Sequence, residues 1–566
     1  MPDLHTRIQR LEQAFGDPRN PGNPCGFQAL LQADEAGHLP EAAERVAHAL
    51  NIPAEFVPVT FGGRLERWQD LAQLMRAVFR RDPCLGLSLA ASSLIASVNV
   101  WTSGSDPQKH LVADTLLSGR KLGCLYHELA HGNDVSRSEC RADLEEWTLS
   151  GSKQVIASLN RAEVLLVFAR TSEAQGSRSH TPLLLPLQDL PESTLHRHGR
   201  YLTSGMRGIE LGGLDFTRTP VLPQHLVGQP GTGIETALKS FQVTRTLLPA
   251  LFVGVLDTGL RLTCDFALER RLYGKTVMDQ PLTRNLLAEV YLDLLWCDAF
   301  TTVTTRALQV LPEQCSLFSA ATKALVPGVL TRAMFKLTRI LGASFYTREG
   351  PYAMLQKLWR DLKPVGFGHA SRLTCLMALL PQLPTLARRG WTQPGVHPEL
   401  FQLRISPQGL PFDRLKVGAS GQDDLISLLE TPLTFSDPDL QKQVGFFQEA
   451  FRALREQCLQ LHPQDLGGVT SATPYLLAEQ YSVLLAASSC IQLSLHNPSH
   501  PLLGESWLSL MLQRVQGEFQ KRHLHLSEAQ TQQVFEHLMQ NHESSRTFDL
   551  TQIHLPHRTP QMEATP

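Results

Sequence analysis

Between residues 121 and 230 the apolar pattern changes period, and no other feature of the chain constrains its fold as much. From about residue 25 to 120, apolar residues recur at three and four, as in Trp68 to Phe79, which predicts helices. Ser103-Gly104-Ser105-Asp106-Pro107 interrupts them, and Pro107 suits the first turn of the next helix. Inside the window, Glu163 to Ala169 reads as a buried strand. Leu183 to Leu187 and Gly208 to Phe216 read as further strands, and Trp147 to Lys153 as a strand followed by a turn. After Gly228-Gln229-Pro230-Gly231-Thr232-Gly233 the helical period returns and ends at Gln382-Leu383-Pro384. A second helical stretch follows, broken at 406–411 and 463–474, with amphipathic segments at Phe446 to Leu459 and Trp507 to Phe519. The expected chain is α+β, mostly α: helices over 1–120, strands over 121–232, a helical bundle over 233–388 and a helical extension over 389–566.

Charge and cysteine usage narrow the function. The 52 Lys and Arg residues nearly balance 54 Asp and Glu, so no basic excess marks a nucleic-acid surface. Met1 to Phe15 has mixed charge and no apolar run, unlike a signal or transit peptide. No stretch approaches the ~18 uninterrupted apolar residues of a membrane span. Ten cysteines are dispersed without a CxxC pair, which fits buried thiols in a reducing compartment. A soluble cytoplasmic protein is expected.

Local motifs are few. His127-Glu128-Leu129-Ala130-His131 has the HExxH spacing that on a helix would hold zinc, but Gly132 and Asn133 follow at once and the segment opens a β-region. No metal is expected. Gly228 to Gly233 lacks the Lys-Ser/Thr of a phosphate loop and reads as a flexible lead into a long helix. No GxSxG elbow or cysteine nucleophile stands out. Phe241 to Lys275, taken bare, is a long amphipathic helix with a basic end.

Several segments, in order, resemble the acyl-CoA dehydrogenase family of flavoproteins. They are Gly104 to Lys109, Glu128 to Asp134, Thr148 to Lys153, Glu163 to Arg170, Gly205 to Gly208 with Leu214 to Phe216, Arg245, Arg270 to Lys275, Arg339 to Ala343 and Arg360 to Lys363. The resemblance covers about residues 25 to 385. It implies a helical domain, a middle β-domain and a four-helix bundle, with FAD between the last two and an acyl thioester, on coenzyme A or an acyl carrier protein, facing the flavin. In that family one side chain removes the α-proton while the β-hydrogen leaves as hydride; the cofactor carries the hard chemistry.

Carried over position by position, the resemblance assigns cofactor contacts to Tyr126, His127, Gly132, Asn133, Val155, Ala157, Arg270, Tyr273, Arg339 and Gly342, and substrate contacts to Thr244 and Arg245. Arg270 and Tyr273 match residues that reach the FAD of a neighbouring subunit. The departures lie around the flavin and the base. His127, Leu129 and Asn133 replace Thr, Pro and Ser, and Val155-Ile156-Ala157 replaces Trp-Ile-Thr. The catalytic glutamate position falls on His369, and its alternative on Thr244.

An imidazole titrating near neutrality can serve as general base, so His369 is the candidate catalytic residue. A flavin-dependent monooxygenase and a non-catalytic binding or assembly partner are the alternatives. The extension resembles in position the extra helical domain of very-long-chain dehydrogenases and acyl-CoA oxidases, which implies a homodimer. The sequence leaves open the electron acceptor and the acyl chain.

Overall fold

The structure, a computed structural model, describes residues 3–556 apart from 175, 393–394, 468–470 and 524. Six helices come first: α1 (Leu4–Phe15), α2 (Phe27–Ala36), α3 (Glu41–Ala49), α4 (Trp68–Arg81), α5 (Pro83–Ser103) and α6 (Asp106–Leu117). Asp82 caps α5 by accepting from the Cys84 amide at 2.7 Å, with Pro83 in the first turn. At α6, Ser105 and Gln108 form a capping box and Pro107 takes the first turn, as its position predicts.

Seven strands follow: β1 (Lys121–Leu125), β2 (Arg141–Asp143), β3 (Thr148–Ala157), β4 (Ala162–Arg170), β5 (His180–Pro186), β6 (Leu195–Arg197) and β7 (Leu211–Pro220). They form one sheet in the order β1-β4-β2-β3-β7-β6, with β5 pairing β4. β4 explains its own unbroken apolar run. Leu165, Val167 and Ala169 enter the core of the β-layer, while Val164, Leu166 and Phe168 join the core shared with the helices. The strand-then-turn reading of Trp147 to Lys153 is corrected: β3 continues to Ala157. Gly151, at φ 127°, takes up a shift of register against β7 and so bends the strand without ending it.

Three long helices form the second half of the core: α7 (Gly233–Glu269), α8 (Pro281–Val310) and α9 (Cys315–Leu341). α7 is not amphipathic, because it is buried almost all round between α4, α5, α8 and α9. Its basic end is not helical either. Tyr273 (φ 52°) and Gly274 (φ 80°) turn the chain between β8 (Arg271–Leu272) and β9 (Lys275–Thr276), a two-residue hairpin. Both α5 and α7 are long and apolar enough to cross a membrane, and both are 94% buried inside the protein over their most apolar window.

α10 (Ala343–Tyr346), α11 (Met354–Leu362), α12 (Arg372–Leu379), α13 (Leu383–Thr385) and α14 (Pro398–Phe401) are short, and helical turns continue past Pro384 to Gly390. The extension consists of α15 (Pro438–Leu459), α16 (Ala472–His496), α17 (Glu505–Gln520) and α18 (Glu528–Glu543). α16 packs on α8 and α9, and α17 and α18 pack on α8.

Candidate active site

A cavity of about 490 Å³ opens where the β-layer meets the helices. Leu87 and Ser92 of α5, Cys124, Tyr126 and His127 after β1, Val155 and Ala157 of β3, and Leu248 and Phe252 of α7 form its walls. The segments 203–211 and 363–369 close it. Among the described residues no carboxylate lines it.

Two contacts fix those closing segments. Asp361, at the end of α11, accepts from the Met206 amide at 2.5 Å and from Lys357 at 2.7 Å. The neighbouring Gly205 lies so close to the Arg360 carbonyl that a Cβ would stand 2.6 Å from its oxygen. Only glycine lets the two segments meet this closely. Arg360 itself pairs with Asp34 at 2.7 Å beside the cavity.

The segment after β1 is held by a buried ion pair. Lys153 of β3, wholly buried, reaches the Glu128 carboxylate at 2.8 Å and also donates to Ser138. Ser138 and the Glu139 and Cys140 amides donate to the same carboxylate. Burial opposes ionisation of Glu128, but the Lys153 charge and these donors outweigh it and hold the carboxyl at about 2. Glu128 is therefore a permanent anchor of the turn and lies outside the cavity lining. His127 and His131 sit in loop and turn, not on a helix. The His127 Nδ1 is 3.0 Å from the Gly132 carbonyl, an acceptor only, so Nδ1 carries the proton and Nε2 keeps its lone pair. Gly132 (φ 53°) has open space around it, and Asn133 follows it in the same turn.

His369 stands beside His127 on the cavity wall, the two rings edge-on with centres 6.2 Å apart. It adopts φ 64°, the left-handed region, just after Gly368 donates to the Pro364 carbonyl at 2.7 Å and just before Ser371 caps α12. Its Nδ1 is shielded from solvent and has no hydrogen-bond partner. Its ring lies edge-on to Tyr126 and Phe241, at 6.5 and 5.9 Å. Behind it are two buried cations. Arg245, 6% exposed, stacks on Phe241 with its Nε unpartnered, and Lys323, 1% exposed, donates to the Val365 carbonyl at 2.6 Å. Among the described residues neither has a carboxylate partner. Burial, His127, Lys323 and Arg245 together push the His369 imidazole well below its usual value, so it is neutral at pH 7. Burial, opposed by Cys375 and reinforced by Arg245, brings Lys323 down to about 8.

The cavity thus gathers Tyr126, His127, Val155, Ala157 and His369 from distant parts of the sequence. Thr244 and Arg245 are buried on α7 outside its lining. Arg270 and Tyr273 stand on the exposed hairpin, Tyr273 fully exposed, and Arg339 and Gly342 end α9 at the surface. Nothing in the neighbours of Lys153 marks a buried ammonium. For Lys323 the one signal is that it is the only charged residue between Cys315 and Leu330.

A family model described as "Acyl-CoA dehydrogenase, C-terminal domain" matches residues 231–369. The chain is 24% identical over 368 residues to the short-chain specific acyl-CoA dehydrogenase, mitochondrial, of Homo sapiens, covering 64% of this chain and 86% of that one. The structure resembles an acyl-CoA dehydrogenase complexed with FAD from Bacillus anthracis, with TM-score 0.72 over 96% of both chains at 14% identity. It also resembles the prolyl acyl carrier protein oxidase AnaB, with TM-score 0.60 over 67% of this chain and 98% of that one at 18% identity. The helix, sheet, helix order, the cavity between its parts and these matches agree: residues 231–369 match the acyl-CoA dehydrogenase C-terminal domain, and the chain has the fold of those dehydrogenases.

Proposed function

We propose that the protein is an FAD-dependent oxidoreductase that introduces an α,β double bond into an acyl thioester carried on coenzyme A or a carrier protein. The observation that carries this reading is the cavity itself. It lies between the β-layer and the bundle, has a volume in the ~300–1,000 Å³ range of ligand sites, and presents mostly apolar walls with two imidazoles side by side. The residues fit FAD by shape. Val155 and Ala157 make one wall small and apolar, Tyr126 and His127 line it beside them, and Gly132 and Asn133 follow in the next turn of the same loop. With no hydroxyl at Ala157, a flavin there would be held by packing and backbone groups. Bound FAD supplies the two-electron acceptor for the β-hydrogen.

The chain's own residues handle the proton. His369 is neutral at pH 7 and, with Nδ1 buried, offers Nε2 to the α-proton of the thioester. It is a weak base, and Lys323 and Arg245 behind it compensate by favouring negative charge that develops on the substrate. Arg270, Tyr273, Arg339 and Gly342 serve the cofactor of a second copy in a homodimer; the full exposure of Tyr273 and the 92% exposure of Tyr346 support that assembly. Ten free cysteines support a cytoplasmic site.

The test is direct. Purified protein supplied with FAD is expected to show a flavin spectrum that an acyl thioester bleaches anaerobically; no retained flavin would overturn the proposal. The absence of a lining carboxylate favours a second reading, a flavin-dependent monooxygenase on the same scaffold, and transfer of label from ¹⁸O₂ into product would establish that one instead.

A further inference from the structure

A second large cavity, about 550 Å³, shares no lining residue with the first and lies in the seam between the bundle and the extension. α8 and α9 form one side, and α17 with the residues after it forms the other. Six Lys and Arg side chains line it, Arg332, Lys336, Arg372, Arg514, Lys521 and Arg522, against only two carboxylates, Asp293 and Glu518.

The charges fall into two layers. In the inner layer Lys336 and Arg514 are closed off by acids. Lys336 contacts Glu289 at 2.8 Å and Asp293 at 3.3 Å, and Arg514 contacts Asp293 at 3.0 Å. Burial resists the Asp293 charge, but Arg514 and Lys336 dominate and hold it at about 2. That layer is a permanent clamp between α8, α9 and α17.

The outer layer is different. Arg332, Arg372, Lys521 and Arg522 share only Glu479 and Glu518. Arg372 and Lys521 both reach Glu479, at 2.6 and 3.4 Å, and Arg332 and Lys521 both reach Glu518, at 2.6 and 3.6 Å. Arg522 has no carboxylate within 4 Å among the described residues. Four cations on two acids leave the mouth of the cavity with two uncompensated positive charges. Three of the four are guanidiniums, whose planar forks match phosphate oxygens.

We propose that this seam is a binding site for a small polyanion bearing a phosphate or pyrophosphate group. The cavity has the volume of a ligand site, its floor is rigid, and its rim carries the charge that such a ligand neutralises.

Inorganic pyrophosphate is the probe, titrated calorimetrically into the full-length holoprotein, with sodium chloride at matched ionic strength as the control. One saturating site per chain is expected, weakening as salt is raised because the rim is exposed. The double variant Arg332→Ala/Arg522→Ala removes two exposed guanidiniums and leaves the inner clamp intact. It is expected to bind pyrophosphate at least tenfold more weakly while melting at the wild-type temperature without ligand. Equal affinity in the double variant would place the anion elsewhere and overturn the proposal, as would heats no larger than those of chloride. Should the double variant melt lower, Arg522→Ala alone, which breaks no ion pair, must still weaken binding.

Discussion

Two groups of buried cations, one on α4 and one on α7 and α9, are treated in opposite ways. Where α4 meets the bundle and the carboxy-terminal segment, Arg76 and Arg80 are answered by acids. Arg76 contacts Asp298 at 2.5 Å and Asp549 at 3.4 Å, and Arg80 contacts Glu12 at 2.7 Å. Asp298 and Asp257 in turn accept from the Leu550 and Phe548 amides. Beside the cavity, Arg245 and Lys323 are buried as deeply and have no carboxylate partner among the described residues. Burial is common to both; what differs is whether an acid stands against the charge. The first network ties three stretches of chain together. The second leaves positive potential where a substrate would acquire negative charge.

The largest effect should come from breaking the paired network. Arg76→Ala leaves Asp298 buried without its main partner and is expected to cost about 3–5 kcal/mol, read from urea unfolding; a loss below about 1 kcal/mol would erase the contrast. Next is His369→Gln, which should slow thioester oxidation roughly 100-fold or more while flavin content is unchanged. An unaffected rate would move the proton to His127, the other imidazole on the cavity.

Lys323→Met should do the reverse of Arg76→Ala and stabilise the protein at pH 7 by about 1–3 kcal/mol, since it removes an unanswered buried charge. Lys323 titrates at about 8 when folded, below its unfolded value of about 10.4. The unfolded chain therefore holds the extra proton between those values, and wild-type stability should rise with pH across that window, an increment the methionine variant lacks. Losing the Lys323 charge also lets the His369 value rise, so the acid limb of the rate profile should move to higher pH. The smallest effect belongs to an exposed pair: Arg414→Ala, which frees Glu313, should change stability by less than about 1 kcal/mol.

The sequence was most readable where period decides structure. The strand Ala162–Arg170, the helix starting at Pro107's turn and the long helix after Gly233 all follow from spacing and caps. It was least readable where three-dimensional pairing decides. Glu128 looked like part of a metal motif until Lys153, 25 residues on, appeared against it. Arg270 to Lys275 looked like a helix end, because the positive φ of Tyr273 that makes a hairpin has no strong signature outside glycine and asparagine. The site was legible by resemblance at Tyr126, His127, Val155, Ala157 and His369, which do share a cavity. The cations behind it come from helix faces whose neighbours only the fold reveals.

The left-handed backbone at His369 limits how this cavity could be re-equipped. Asp and Asn tolerate that conformation better than longer side chains, which bear more strain there. An engineer restoring a carboxylate would therefore meet less resistance with Asp than with Glu, but the shorter acid would stand farther from the cavity wall opposite. The backbone at one residue sets reach against comfort, so the choice of proton acceptor is written as much in φ as in side-chain chemistry.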